Sequence, residues 1–136
     1  MAQRRRAITT DKAAPPGAHY SQAIVAGDHI YVSGSGPFEP ITHKLVEGDV
    51  AVQTRATIRN IQAILEAAGA SLADVVQITV YLKDIADFEG MNAEYRKHFP
   101  TDPPARTALA VASMRPAGRL LVMDAVAYTG RRGQGA

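Results

Sequence analysis

The stretch of sequence that decides the fold is Val75-Val76-Gln77-Ile78-Thr79-Val80-Tyr81-Leu82. It is rich in β-branched residues, and the side chains of a strand point alternately to its two faces. The pattern predicts a β-strand whose apolar face carries Val76, Ile78, Val80 and Leu82. The other face carries Val75, Gln77, Thr79 and Tyr81. This second face is semi-apolar and bears no charge, so we expect it to meet a partner surface.

Two amphipathic helices are predicted, one before and one after this strand in the chain. The first begins after Asp49, a residue type that caps helices, and runs to about residue 68, where Gly69 suits the position after a helix end. Its apolar residues follow helical spacing: Ile58, Ile61, Leu65 and Ala68. The second helix is predicted over residues 85–99, before Pro100. Its buried stripe comprises Phe88, Met91, Tyr95 and Phe99.

Further strands complete the predicted sheet. Residues 21–26 and 29–33 flank Gly27-Asp28, which favours a hairpin. Two more strands are predicted over residues 105–111 and 120–128, with a turn at residues 116–118. The order of elements predicts an α+β sandwich, with two helices on one face of a mixed or mostly antiparallel sheet. Because the helices cover only one face, we expect a homo-oligomer that packs the open faces together, with sites at the seams.

Length and composition limit the classes of protein. The 136 residues suit one domain, spanning residues 1–136, with mobile tails at about residues 1–6 and 130–136. Five of the 15 basic residues lie in these tails (Arg4, Arg5, Arg6, Arg131 and Arg132), which leaves 10 against 13 acidic residues. This acidic body argues against a nucleic-acid partner. No apolar run suits a signal peptide or a membrane span, so we expect a cytoplasmic protein without a membrane partner.

Several chemistries have no support in the sequence. Cysteine is absent, which excludes disulfides and cysteine nucleophiles. The four histidines, His19, His29, His43 and His98, have no partner at metal-ligand spacing, so no metal is expected. The glycine-rich segment at residues 33–36 lacks the lysine and the following helix of a phosphate-binding loop. It is interpreted as a turn that ends a strand.

Two residues are candidates for chemistry. Arg106 follows the rigid pair Pro103-Pro104 at the start of a predicted strand, and its planar guanidinium matches a carboxylate. An ordinary surface arginine would give the same pattern. Asp124 interrupts an otherwise apolar strand, where a charge is costly unless it is paired. Asp124 is therefore paired, at an interface or protonated, and a structural ion pair with an arginine is the competing explanation.

A set of motifs along the chain resembles the RidA (YjgF/L-PSP) family. The matching segments run in order from about residue 17 to residue 128: Gly17-Ala18-His19-Tyr20-Ser21-Gln22-Ala23, Ile30-Tyr31-Val32-Ser33-Gly34, Leu82-Lys83-Asp84, Met91-Asn92-Ala93-Glu94-Tyr95, Pro104-Ala105-Arg106-Thr107 and Asp124-Ala125-Val126-Ala127. Each motif is weak alone, and together they are specific to the family.

The resemblance implies a chorismate-mutase-like fold with a six-stranded sheet, a homotrimer with sites between subunits, and no cofactor. It implies hydrolysis of 2-imino acids, or their enamine tautomers, to 2-keto acids and ammonia. Carried over, Arg106 would bind the substrate carboxylate, Tyr20 would flank the substrate or orient water, and Ser33, Gly34 and Asn92 would line or support the pocket. Asp124 takes the place of the family's usual glutamate, which orients or activates water.

Some positions depart from the family pattern. Asp124 is shorter than glutamate by one C–C bond, about 1.5 Å, and a displacement of that size can cost on the order of a hundredfold in rate. Ala108 stands where many deaminating members have cysteine, Ser35 replaces glutamine and His19 replaces proline. The chain therefore suits a divergent subgroup. Two other functions compete with deamination: a non-catalytic regulatory module that binds small carboxylates, and RNA cleavage, which the acidic body disfavours.

Overall fold

The computed structural model describes residues 4–130. Six strands and two helices form it: β1 Arg6–Ile8, β2 Ala23–Ala26, β3 His29–Ser35, α1 Val50–Ala67, β4 Val75–Leu82, α2 Phe88–His98, β5 Ala105–Ala110 and β6 Leu121–Tyr128. Short 3₁₀ turns at Leu72–Asp74 and Ile85–Asp87 precede β4 and α2. The predicted elements are confirmed, and β1 is added to them. The interpretation of residues 33–36 as a turn that ends the strand is wrong, because β3 continues through a bulge to Ser35, which pairs with Met123.

The strands form one sheet in the order β1-β2-β3-β6-β4-β5. Only β4 and β5 are parallel, because α2 carries the chain back across the sheet between them. All other neighbours are antiparallel. The prediction of a mixed six-stranded sheet is confirmed. The last two strands, β5 and β6, were predicted as a strand pair joined by a turn, and this pairing is wrong, because β4 lies between them and β6 enters the middle of the sheet.

The termini differ in part from the prediction. Arg6 was expected in a mobile tail, but it is the first residue of β1 and pairs with Val25. Backbone pairing with β2 therefore extends the sheet to this edge. Gly130 lies inside the described residues, whereas Arg131 and Arg132 lie outside them.

Both local signals of the first helix are confirmed. The Asp49 side chain accepts a hydrogen bond from the Val52 N–H at 3.0 Å, which satisfies one of the free donors at the helix start. Gly69 has φ +85°, a conformation that glycine adopts without steric cost. In the hairpin between β2 and β3, Gly27 has φ +59° for the same reason.

The core lies between the sheet and the two helices. Its β4 members are Val75, Ile78, Val80 and Leu82, and the predicted α2 stripe contributes Met91, Tyr95 and Phe99. The expected faces of Val75 and Val76 are exchanged: Val75 is buried, whereas Val76 is 46% exposed. A β-bulge explains the exchange, because the register with β6 shifts between Val75 and Gln77.

The other face of the sheet carries no helix and exposes several large side chains. Tyr31 is 48% exposed and Leu109 is 39% exposed. On the same face, Tyr81 pairs across the strands with both Leu109 and Val122. An apolar open face of this kind is typical of a partner surface. The homo-oligomer stays a prediction.

Candidate active site

Arg106 lies on edge strand β5 and is held by α2. Its Nη1 donates a hydrogen bond to Asn92 Oδ1 at 2.8 Å. The guanidinium carbon lies 4.7 Å from the centre of the Tyr95 ring and 5.5 Å from that of Phe88. Stacking on aromatic faces fixes the plane of the guanidinium and leaves other N–H groups of the fork for a ligand. We call Arg106, Asn92 and Tyr95 the arginine half-site.

A cavity of about 440 Å³ borders this half-site. Its lining includes the three half-site residues together with Phe99, Pro100, Pro103 and Pro104. The proline-rich segment restricts the backbone that leads into Arg106. Within residues 4–130, the ion pairs all involve Glu94, so Arg106 has no carboxylate partner there.

Asp124 lies on the open face of the sheet, near its centre. Its Oδ2 accepts a hydrogen bond from the Tyr81 hydroxyl at 3.1 Å. This hydrogen bond to Asp124, together with burial, raises the pKa of Tyr81 above its usual value. The competing explanation, an ion pair with an arginine, is absent within residues 4–130. Asp124 is half-buried and paired with a neutral group.

Ser33 and Gly34 lie opposite Asp124 on the neighbouring strand. Val32 pairs with Ala125 and Ser35 pairs with Met123, so the two residues between them together oppose one residue of β6. Such bulges re-aim side chains at functional sites. The Ser33 hydroxyl donates to the Ser21 carbonyl at 2.6 Å. We call Asp124, Tyr81, Ser33 and Gly34 the acid half-site.

Tyr20 borders a second cavity, of about 530 Å³, together with Ser33 and Gly34. Tyr20 is 47% exposed, and its hydroxyl accepts a hydrogen bond from the Gly17 N–H at 3.0 Å. The phenolic proton is still available for donation to a ligand or to water. Tyr20 therefore forms one wall of this cavity together with Ser33 and Gly34.

Three buried amide side chains hold the loops around this cavity. Asn60 donates to the Gly36 carbonyl at 2.9 Å and to the Phe38 carbonyl at 2.8 Å, and accepts from the Ala14 N–H at 2.9 Å. Gln22 bonds both the N–H and the carbonyl of Thr10 and also the Ala14 carbonyl. Gln53 bonds Val46, Gly118 and Leu120 in the same way. Sequence reasoning gave these amides no role, because their partners are distant in the chain.

The two half-sites lie on opposite faces of the sheet. Arg106 pairs with Ile78, and Asp124 pairs with Thr79. Paired residues share a face, whereas consecutive residues of a strand point to opposite faces. Within one chain, Arg106 lies beside Asn92, and Asp124 lies beside Ser33 and Gly34. Arg106 and Asp124 do not meet in the same chain.

The histidines take part in ring contacts and one polar contact. His29 lies against Tyr31 and Tyr128, His43 against Phe38, and His98 Nε2 lies 2.9 Å from Glu94 Oε2. Over residues 4–130, no group of three histidine or acidic side chains could hold a metal ion. In the same span, no helix is long and apolar enough to cross a membrane.

The fold and the arginine half-site together define a small α+β protein with a fixed guanidinium beside a cavity. The Endoribonuclease L-PSP family model matches residues 10–129. A RutC family protein of Pyrococcus abyssi is 48% identical over 124 residues, which cover 91% of this chain and 97% of that protein. The chain therefore belongs to the Endoribonuclease L-PSP family, in which RidA and YjgF proteins are also found, and the resemblance found in the sequence is confirmed.

Two further relatives are informative. The 2-iminobutanoate/2-iminopropanoate deaminase of Homo sapiens is 41% identical over 128 residues, covering 93% of this chain and 91% of the human protein. The crystal structure of RidA from an Antarctic Psychrobacter species matches with a TM-score of 0.85 and 39% identity. The match covers 90% of this chain and 98% of that one. The α+β sheet with two helices is thus a fold shared with RidA.

Proposed function

We propose that the protein hydrolyses 2-imino acids, or their enamine tautomers, to 2-keto acids and ammonia. The observation that carries the proposal is the Arg106 guanidinium, which is fixed by Asn92 and Tyr95, has no carboxylate partner in residues 4–130 and borders a cavity. The similarity to a 2-iminobutanoate/2-iminopropanoate deaminase supports the same reaction.

Arg106 binds the substrate carboxylate through two N–H groups of its fork. This contact orients the imine and leaves its carbon, which is already electrophilic, open to water. The protein needs no resident cofactor for this addition, because the iminium nitrogen withdraws electrons from the carbon.

Asp124 positions the water and accepts its proton as the C–O bond forms. Asp124 then returns this proton to the amino nitrogen of the carbinolamine, the C–N bond breaks and ammonia leaves, while the hydroxyl loses its proton and becomes the C=O group of the keto acid. One water is consumed for each keto acid and ammonia released. Tyr81 holds the Asp124 carboxylate from one side, at 3.1 Å. Its hydroxyl helps to fix a side chain that is one carbon shorter than glutamate.

The complete site forms between subunits of a homotrimer. Arg106 and Asp124 lie on opposite faces of one chain, so they must come from two chains if they act on the same substrate. The helix-free face with Tyr31 and Leu109 offers the surface for that contact. Because Arg106 lies on the edge strand β5, packing of these faces would bring the edge of one copy, with its arginine half-site, to the acid half-site of its neighbour.

The test uses the full chain and imines made in place by an amino-acid oxidase acting on alanine or 2-aminobutyrate. With semicarbazide as a competing trap, the protein should raise free keto acid and lower the semicarbazone. Arg106→Ala should reduce kcat/KM by about a hundredfold or more, since charge-assisted hydrogen bonds contribute about 1.5–3 kcal/mol each. The matched control is Arg59→Ala, at an exposed arginine of α1.

Sedimentation and urea unfolding of both variants establish that the fold and the assembly persist. Full activity in a folded Arg106→Ala variant would refute the role of Arg106. Saturable binding of 2-oxobutanoate without any rate gain would replace hydrolysis with a carboxylate-binding function. A monomeric wild-type protein that still hydrolyses imines would refute the site between subunits.

A further inference from the structure

A second guanidinium, that of Arg119, lines the cavity beside Tyr20. Its Nε donates to the Leu121 carbonyl at 3.2 Å, and its Nη1 reaches the Arg115 carbonyl at 3.5 Å. Its carbon lies 5.0 Å from the centre of the Phe38 ring. These contacts are with neutral groups, and within residues 4–130 no acidic side chain pairs with Arg119. The cation is half-buried without a counter-ion.

Gly36 creates the space that the guanidinium occupies. A Cβ atom at this position would lie 2.5 Å from Arg119 Nη2 and 2.8 Å from its Cζ. Real Cβ atoms do not approach other heavy atoms so closely, so any larger residue would displace the Arg119 head group. Nη2 makes no hydrogen bond with residues 4–130, which leaves its two N–H groups as donors for a ligand.

The cavity is positively charged. Its lining includes Arg115 and Arg119, whereas none of its lining residues is acidic. Burial lowers the pKa of the Arg119 guanidinium, which nevertheless stays protonated at neutral pH. A cation that has lost part of its hydration gains from an anion that takes the place of water.

Three of the residues expected to meet the substrate line the same cavity. Tyr20, Ser33 and Gly34 line it, and Ser33 and Gly34 lie opposite Asp124 in the sheet. A substrate held at the acid half-site would therefore have Arg119 within the adjoining space. Arg106 lies in another cavity, so the two arginines supply separate anion sites.

We infer that this protein prefers imino acids that carry a second carboxylate on the side chain, and that Arg119 binds that second carboxylate. The inference rests on the proposed function. The reaction is the same hydrolysis: water adds to the imine carbon, the C–N bond breaks, and ammonia and a dicarboxylic 2-keto acid leave. Arg119 takes no part in these bond changes and acts only on specificity.

The test compares kcat/KM for imines made by oxidases from aspartate and glutamate with kcat/KM for the imine made from alanine. One charge-assisted hydrogen bond contributes about 1.5–3 kcal/mol, so the wild-type protein should prefer a dicarboxylic imine by about tenfold to a hundredfold. Arg119→Met keeps most of the aliphatic stem but removes the charge, and should bring this ratio close to one. Arg59→Met should retain the wild-type ratio.

A binding measurement separates this inference from the proposed hydrolysis. Calorimetry at fixed ionic strength with 2-oxoglutarate and 2-oxobutanoate should show tighter binding of the dicarboxylate, lost in Arg119→Met. If no imine is hydrolysed but this difference is found, the hydrolysis fails and the anion site stands. If alanine imine is hydrolysed and dicarboxylic imines are not preferred, the hydrolysis stands and the Arg119 inference is overturned.

Two further outcomes bear on Arg119 itself. An equal loss of activity on both kinds of imine in a folded Arg119→Met variant would make Arg119 a general anchor and overturn the specificity role. If that variant does not fold, Arg119→Lys serves instead, because it keeps a charge but loses the planar fork. It should lower the ratio partly, and an unchanged ratio would contradict bidentate binding by Arg119.

Discussion

Replacement of Glu94 by glutamine should destabilise the protein at neutral pH and clearly less at acidic pH. Glu94 lies on α2 and is 3% exposed. Its carboxylate accepts two hydrogen bonds from Arg55 on α1, at 3.1 and 3.2 Å. It also contacts Lys97 at 3.3 Å and His98 at 2.9 Å. These contacts join the two helices beside the arginine half-site.

The size of the effect follows from the pKa of Glu94. Hydrogen bonds from Arg55, opposed by burial and assisted by His98 and Lys97, lower that pKa from 4.5 to about 2. At 1.36 kcal/mol for each pKa unit, this shift corresponds to about 3 kcal/mol of stability. Arg55 is 38% exposed and Lys97 is 69% exposed, so solvent screening reduces the contribution to on the order of 2 kcal/mol.

The sign follows from the direction of the shift. Because the folded-state pKa is lowered, the stabilisation is fully present above the unfolded-state value near 4.5. It is lost as the pH falls from there toward about 2, where the folded state is protonated as well. Glu94→Gln has no such dependence, so the free-energy difference between variant and wild type should shrink over this range.

Urea unfolding at fixed protein concentration measures the difference at about pH 7 and about pH 3. The control is Glu66→Gln, which removes the same charge from an exposed position of α1. Its free energy of unfolding should change by less than about 0.5 kcal/mol at both pH values. A Glu94→Gln penalty of the same size at both pH values would refute the assignment of this stability to an ionised Glu94.

Three other substitutions test the fold and the site. Asn60→Ala leaves the Gly36 and Phe38 carbonyls without their donor, and urea unfolding should show a loss of about 2–4 kcal/mol. A loss below about 0.5 kcal/mol would mean that water replaces the amide. Gly69→Ala meets no atom within 4 Å but must adopt φ +85°, so thermal unfolding should show a cost of about 1–2 kcal/mol. Tyr81→Phe removes the hydrogen bond to Asp124, so kcat on an imine should fall while KM changes little. A change confined to KM would place Tyr81 in substrate binding.

Local signals account for the parts of the fold that could be predicted. Asp49 and Gly69 mark the ends of α1 because the unpaired backbone groups of a helix end need particular neighbours. Gly27 marks the hairpin because its φ is positive. Each of these preferences depends on a few adjacent residues, which the sequence displays directly.

Pairings between distant segments were harder to predict. The strand β1 is three residues long and has no alternation to reveal it. The bulge after Val75 depends on the register with β6, about 50 residues away, and it reverses the faces of Val75 and Val76. The position of β6 between β3 and β4 likewise comes from pairing across the whole chain.

The candidate site was predictable as a set of residues but not as an arrangement. The proline pair drew attention to Arg106, and the polar residue in an apolar strand drew attention to Asp124. Their separation onto opposite faces became visible only with the register of β4 and its two neighbours. Arg119 could not be predicted as a site residue from the sequence, because its position in the cavity depends on the contact with Gly36, which is distant in the chain.

The anchoring of the cavity loops by Asn60 and Gln22 has a consequence for behaviour in acid. A carboxamide neither gains nor loses a proton over the range in which carboxylates titrate, so these anchors keep the same donors and acceptors throughout. The ion pair between Glu94 of α2 and Arg55 of α1, by contrast, weakens as Glu94 is protonated. Acidification should therefore loosen the helical layer first, while the wall formed by Tyr20 and Ser33 keeps its shape.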